Sequence, residues 1–130
     1  MAERSGEAAS EIITALTTAD RYIGILNLPN RGQISNLPLD AVVETYGVID
    51  NTGADAIHFG DFSAGVQTIL EKHIRNQEMT VQAALTGDRD LALQVLLNDP
   101  LSSRLSIEQS KAMLDELLEA HRDYLGLFFE

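Results

Sequence analysis

Three kinds of side chain in this sequence carry site chemistry: histidines, paired carboxylates, and amides set between two prolines. The three histidines, His58, His73 and His121, are scattered singly. No two stand at the i, i+4 spacing that places two imidazoles on one helical face, so they encode no metal ligand set. Acid pairs occur, such as Glu116 with Glu119 and Asp88 with Asp90. Two carboxylates hydrolyse a glycoside when they face each other across a cleft, whereas neighbouring acids on a helix face solvate it. No Gly-x-Gly-x-x-Gly turn, Walker-type lysine loop or Gly-x-Ser-x-Gly elbow is present. The motifs therefore predict no catalytic residue, no cofactor-binding residue and no metal ligand.

The amides are concentrated in Asn27-Leu-Pro-Asn30-Arg-Gly-Gln-Ile-Ser-Asn36-Leu-Pro38. Pro29 and Pro38 restrict the backbone, and Gly32 permits a turn with positive φ between them. On such a loop Asn27, Asn30 and Asn36 form a candidate substrate-side set, offering donors and acceptors to a hydroxyl-rich ligand such as a sugar. The alternative is that these amides satisfy their own backbone in Asx-turns. Spacing leaves both readings open.

The elements that would position this loop follow from periodicity. Ala9, Ile12, Ile13 and Leu16 repeat at helical spacing, and Tyr22 to Leu26 reads as extended. Two prolines, a glycine and three asparagines predict no regular element across 27–38. Residues 41–49 are rich in β-branched side chains and predict a strand; a turn at Asp50 to Gly53 leads to a returning strand over Ala56 to Phe59. A long helix is expected from about Ser63 to a stop at Gly87, with Val66, Ile69, Leu70, His73, Ile74, Gln77, Val81, Ala84 and Leu85 on one face. Asp88 or Asp90 opens the next helix, over about Arg89 to Leu97, which ends before Asn98-Asp99-Pro100. Ser106 and Gln109 make a capping box for a last helix whose stripe is Ile107, Leu114, Leu117, Leu118, His121, Tyr124 and Leu125. The predicted class is α+β: an N-terminal helix, a small antiparallel sheet, then a helical half, in one domain over 1–130.

Composition bounds the partners. Nine Lys and Arg against twenty Asp and Glu give 130 residues a net charge of −11. That field, with its cations scattered, argues against nucleic acid. The absence of cysteine excludes thiolate metal ligands and disulfides. No apolar run reaches the roughly 18 residues of a membrane span, and the polar, acidic start is unlike a signal peptide, so a cytoplasmic location is expected.

The loop also carries a resemblance. Asn27 to Pro38, followed by Asp40-Ala-Val-Val-Glu44, resembles the C-terminal region of glycoside hydrolase family 4. The likeness continues through Gln82-Ala-Ala-Leu-Thr-Gly87-Asp88-Arg89, Leu91-Ala-Leu, Asn98-Asp99-Pro100-Leu101 and Leu117-Leu-Glu-Ala-His121-Arg-Asp-Tyr124-Leu125, and Arg4-Ser-Gly-Glu7 resembles the helix before the loop. The sequence departs from the family pattern at Thr45-Tyr46, where Val-Pro is usual, at Phe62-Ser63 in place of Leu-Pro, and at Gly126 in place of a proline. The resemblance implies the C-terminal fold of lactate and malate dehydrogenase-like enzymes. It implies a parent activity in which NAD oxidises a sugar hydroxyl, manganese polarises the resulting carbonyl and the glycosidic bond eliminates. In that family the dinucleotide loop, the metal ligands and the catalytic base lie upstream of the matching region. The expectations are a chain that is inactive alone, does not bind NAD, and joins either a second copy as a homodimer or a Rossmann-domain partner.

Overall fold

The computed structural model describes residues 8–130; the Arg4 to Glu7 motif lies outside them. By its internal contacts the chain divides into two compact units, residues 1–67 and 68–130.

The first unit begins with helix α1 (Ala9–Thr17), which packs on a three-stranded antiparallel sheet of order β1-β2-β3. The strands are β1 (Tyr22–Pro29), β2 (Val42–Asp50) and β3 (Gly53–Ala56). In β2 every second residue, Val43, Thr45, Gly47 and Ile49, is buried, as the strand period of two requires. Pairing runs from Tyr22 opposite Ile49 to Pro29 opposite Val42. Asp50 closes the β2–β3 hairpin: its Oδ1 accepts from the Thr52 amide at 2.9 Å and from Thr52 Oγ1 at 2.6 Å. These bonds hold its carboxyl below the usual carboxylate range, assisted by Arg21.

Two sequence expectations need correction here. Asn27, Leu28 and Pro29 belong to β1, because Pro29 closes the pairing at the end of an edge strand, where its missing N–H costs nothing. The returning strand is Gly53–Ala56, not Ala56 to Phe59. Asp50 pairs directly with Gly53, so the turn consists of Asn51 and Thr52 and the strand starts earlier. Residues 57–60 instead lie along the amide-rich loop, where Ile34 bridges Gly60.

Helix α2 (Ala64–Thr86) begins after Ser63, whose carbonyl accepts the Gln67 amide, and stops at Gly87 with φ of 69°. The second unit adds α3 (Arg89–Asn98) and α4 (Ile107–Ala120), with short 3-10 turns after each. Asp88 caps α3 by accepting from the Leu91 amide, and the Ser106–Gln109 capping box is formed in both directions. Ala83, Leu114, Leu118 and Phe128 make the core of this unit.

The helical stripes are where burial departs from periodicity. On α2 the buried residue is Ala83, while Ile69, Val81 and Leu85 are 62%, 56% and 73% exposed. On α4, Ser110, Leu114 and Leu118 are buried, while Ile107 and Leu117 are exposed; the helix ends at Ala120, so His121 and Tyr124, also exposed, lie beyond it. An amphipathic period fixes which side chains share a face, but not which of two faces is covered.

Candidate functional site

The amide-rich loop is assembled around Asn30, which is completely buried. Its Nδ2 donates to the carbonyls of Ile34 (2.9 Å), Leu37 (3.0 Å) and Pro38 (3.1 Å). Its Oδ1 accepts the amides of Gly32 and Ile34, both at 3.2 Å. The backbone joins in: Asn30 N donates to Ala41 O at 2.7 Å, and Asp40 N donates to Asn30 O at 2.8 Å. Gly32 takes φ of 105°, as its place in the loop requires, and Asp40 takes φ of 65°. Asp40 also pairs with Arg31 at 3.1 Å across the loop mouth.

Asn36 ties this loop to the approach to α2. Its Nδ2 donates to Phe62 O at 2.9 Å and to Gln67 Oε1 at 3.0 Å, and its Oδ1 accepts the Phe62 amide at 3.0 Å. Gln33, which sequence reasoning passed over, is as important. It is buried, donates through Nε2 to Pro29 O at 3.0 Å, and accepts the Arg31 amide through Oε1 at 2.6 Å. Its carbonyl receives the amides of Phe59 and Gly60. The available signal was its place beside Gly32 in a proline-bounded loop, where a side-chain amide can fold back on the backbone as asparagine does.

Asn27 differs from the other two asparagines. It is exposed and lies directly across the register from Glu44, on the outer face of the sheet. That face also carries Ile23, Ile25, Val42 and Tyr46, each between 56% and 63% exposed. Beside it Phe59 and Phe62 pack at a ring separation of 4.7 Å. Two of the departures from the family pattern, Tyr46 and Phe62, thus border one hollow of about 140 Å³.

The remaining candidates are dispersed. His58 follows β3, with Nδ1 3.1 Å from Gly32 O, whereas His73 and His121 are exposed on α2 and at the end of α4. Asp88 serves as a helix cap, and Glu119 pairs with Arg122, which holds its carboxyl below the usual range. Arg122 in turn lies 3.8 Å from the Phe129 ring centroid. Among the described residues no three His, Asp or Glu side chains come together so as to hold a metal ion, and the chain has no cysteine. The described residues do not fit the manganese site that the family resemblance implies, so no chemical step through that metal is derived from them. No helix among them is long and apolar enough to cross a membrane.

Comparison with known proteins gives three concordant findings. Residues 1–102 match the model of the family 4 glycosyl hydrolase C-terminal domain. An alpha-galacturonidase of Bacillus subtilis (strain 168) is 41% identical over 108 residues, covering 83% of this chain and 24% of that enzyme. An alpha-galactosidase of Rhizobium meliloti (strain 1021) is 36% identical over 123 residues, or 94% of this chain and 25% of its own. In solved structures, a 6-phospho-beta glucosidase from Thermotoga maritima, determined with manganese, NAD+ and glucose-6-phosphate, superposes with a TM-score of 0.81. Identity to it is 31%, over 91% of this chain and 30% of that one. The chain spans about a quarter of the length of the curated relatives it matches.

Proposed function

The chain belongs to the family 4 glycosyl hydrolase C-terminal domain, and on that premise we propose that it supplies the substrate-side and self-association part of an NAD- and manganese-dependent glycosidase. In this reading nucleotide and metal are held by the portion of such an enzyme that corresponds to the rest of the relatives' length. The chain alone is inactive. Asn30, Gln33 and Asn36 set the shape of the loop that borders the substrate, and Asn27 is the member of the asparagine set left facing outward.

The observation that carries the proposal is the extent of the family match. Residues 1–102 take in the Asn30 and Asn36 bonding network, the whole sheet, α2 and α3. A chimera tests it: the matching C-terminal quarter of the Bacillus subtilis alpha-galacturonidase is replaced by this chain. Release of nitrophenol from α-galacturonide and α-galactoside substrates is then followed with NAD+, manganese and a reductant. Turnover that depends on both cofactors is expected. A chimera that is folded and binds NAD+ but turns over no nitrophenyl glycoside would overturn the proposal.

The exposed apolar residues of α2, Ile69, Val81 and Leu85, favour a second reading, in which the chain acts as a self-associating or partner-binding module. Monomeric soluble proteins seldom leave such a stripe uncovered. Light scattering at about tens of micromolar distinguishes the cases on the scale of ordinary oligomer affinities. A mass near twice 14.2 kDa favours the module, and a clean monomer excludes homodimerisation.

A further inference from the structure

The two edges of the sheet are unlike. β3 is four residues long and carries an exposed Asp55, and a short, charged edge resists pairing with another chain. β1 is eight residues long and contains no charged residue, although the chain as a whole has a net charge of −11. Its one proline, Pro29, stands at the last position, where it protects nothing upstream. The backbone of this edge can be oriented from the ladder. Asn30 N donates to Ala41 O, and in an antiparallel pair alternate residues bond across, so Tyr22, Gly24, Leu26 and Leu28 bond to β2. Ile57 N donates to Tyr46 O on the far side of β2, which turns Tyr46 away from its β1 opposite, Ile25, as this alternation requires. The N–H and C=O groups of Ile23, Ile25 and Asn27 therefore point away from the sheet, and no described residue bonds to them. Ile23 and Ile25 are also 63% and 56% exposed.

We infer that the free edge of β1 docks a second copy of this chain, the two β1 strands pairing antiparallel about a twofold axis at Gly24. Residues directly opposite in such a pair share a face of the sheet. In this register Ile23 lies opposite Ile25 of the second copy and Ile25 opposite its Ile23. All four residues present their backbone to the edge, so each pair exchanges both N–H···O bonds. Gly24 meets Gly24 in the intervening non-bonded pair, where Cα atoms come within about 4.5 Å and neither residue brings a side chain. On the outer face Tyr46 and Ile25 of one copy continue into Ile23 and Val48 of the other, because Ile25 is opposite Tyr46 and Ile23 opposite Val48 within each sheet. Arg21 comes opposite Asn27, so no like charges meet. An acidic or basic peptide would find no counter-charge on β1, whereas a second β1 matches its apolar pattern residue for residue. An eight-residue strand is far short of the roughly 20–30 residues a side of a standard interface, so the dimer is weak and forms reversibly. The inference rests on the self-association reading above and assigns it to β1 instead of α2.

The experiment is light scattering with residue-resolved amide exchange on the labelled chain, over protein concentrations from about 5 to 500 μM. The mass is expected to rise from 14.2 kDa towards twice that value, with a midpoint at about tens of micromolar. Over the same range the Ile23 and Ile25 amides are expected to pass from fast to slow exchange, while Gly24 and Leu26, bonded within the sheet, stay slow throughout. Ile25→Pro removes an outward N–H and leaves the bonds to β2 in place, so it is expected to weaken dimerisation at least about tenfold. Ile25→Thr keeps that N–H and is expected to weaken it less than Ile25→Pro does, and Val81→Glu on α2 is expected to leave it unchanged. Unchanged β2 amide shifts confirm that the proline variant is folded; where it is not, the exchange of the unaltered chain decides. A clean monomer at every concentration overturns this inference together with the self-association reading. A dimer that is broken by Val81→Glu and not by Ile25→Pro overturns the inference alone. So does a dimer in which the Ile23 and Ile25 amides exchange at a rate independent of concentration. The chimera assay is unaffected by any of these outcomes.

Discussion

In the first unit the most deeply buried polar side chain is Asn30, and its amide makes five hydrogen bonds to the surrounding backbone. In the second unit the corresponding residue is Ser110, equally buried, whose hydroxyl has no partner among the described residues. The first unit therefore uses buried polarity as its fastening. Its loop buries Ile34 and Leu37 but has little regular secondary structure, and the asparagine satisfies backbone groups that would otherwise be stranded. The second unit is fastened differently, by an apolar cluster, by caps at Asp88 and Ser106, and by its tail. Arg89 donates to Phe128 O and pairs with Asp115, while Arg122 covers the Phe129 ring. The Ser110 hydroxyl makes no hydrogen bond among the described residues there and incurs a desolvation cost, whereas Asn76 Nδ2 donates to Val95 O at 3.2 Å.

This contrast is sharpest at Asn30. Asn30→Ala removes five hydrogen bonds and strands the Leu37 and Pro38 carbonyls and the Gly32 and Ile34 amides, while Ile34 O keeps the Leu37 amide; the expected loss is about 3–5 kcal/mol, enough to lower the melting temperature by at least 10 °C or so. Asn36→Ala, half-buried with three bonds, is expected to lose about 1–3 kcal/mol. Equal and negligible effects at both positions would break the comparison. In the second unit, Ser106→Ala removes a capping box and is expected to cost about 1 kcal/mol. Ser110→Ala is expected to leave thermal stability within about 0.5 kcal/mol or to raise it, because it removes an unsatisfied hydroxyl from a packed site. A loss at Ser110 as large as that at Asn30 would show that both units depend on buried polar groups.

How far the sequence predicted this difference depends on the kind of signal. Capping chemistry was readable because it is local: Ser106 with Gln109, Asp88 and the positive φ of Gly87 all act within a few residues. The class of the fold was readable as well, since residues 41–49 are rich in β-branched side chains while the apolar residues of the second half recur at helical spacing. The loop was only half legible. The amides stood out, but spacing cannot say whether an amide bonds to its own chain or to a ligand. The partners of Asn36, Phe62 and Gln67, lie 26 and 31 residues away. The helical stripes were misleading for a physical reason. The apolar face of α2 is real, yet the face buried within this chain is the one bearing Ala83, and periodicity carries no information about a neighbour outside the sequence.

Residue-resolved amide hydrogen exchange tests the central claim, that the loop is a rigid frame fixed by its own asparagines. The informative amides are those of Gly32 and Ile34, bonded to Asn30 Oδ1, and Phe62, bonded to Asn36 Oδ1. In the ligand-free chain they are expected to exchange as slowly as the paired amides of β2, and more slowly than the capped helix-start amides of Leu91 and Gln109. Exchange at the rate of an open surface loop would contradict the account, because it would mean that the asparagines become fixed only when a ligand arrives.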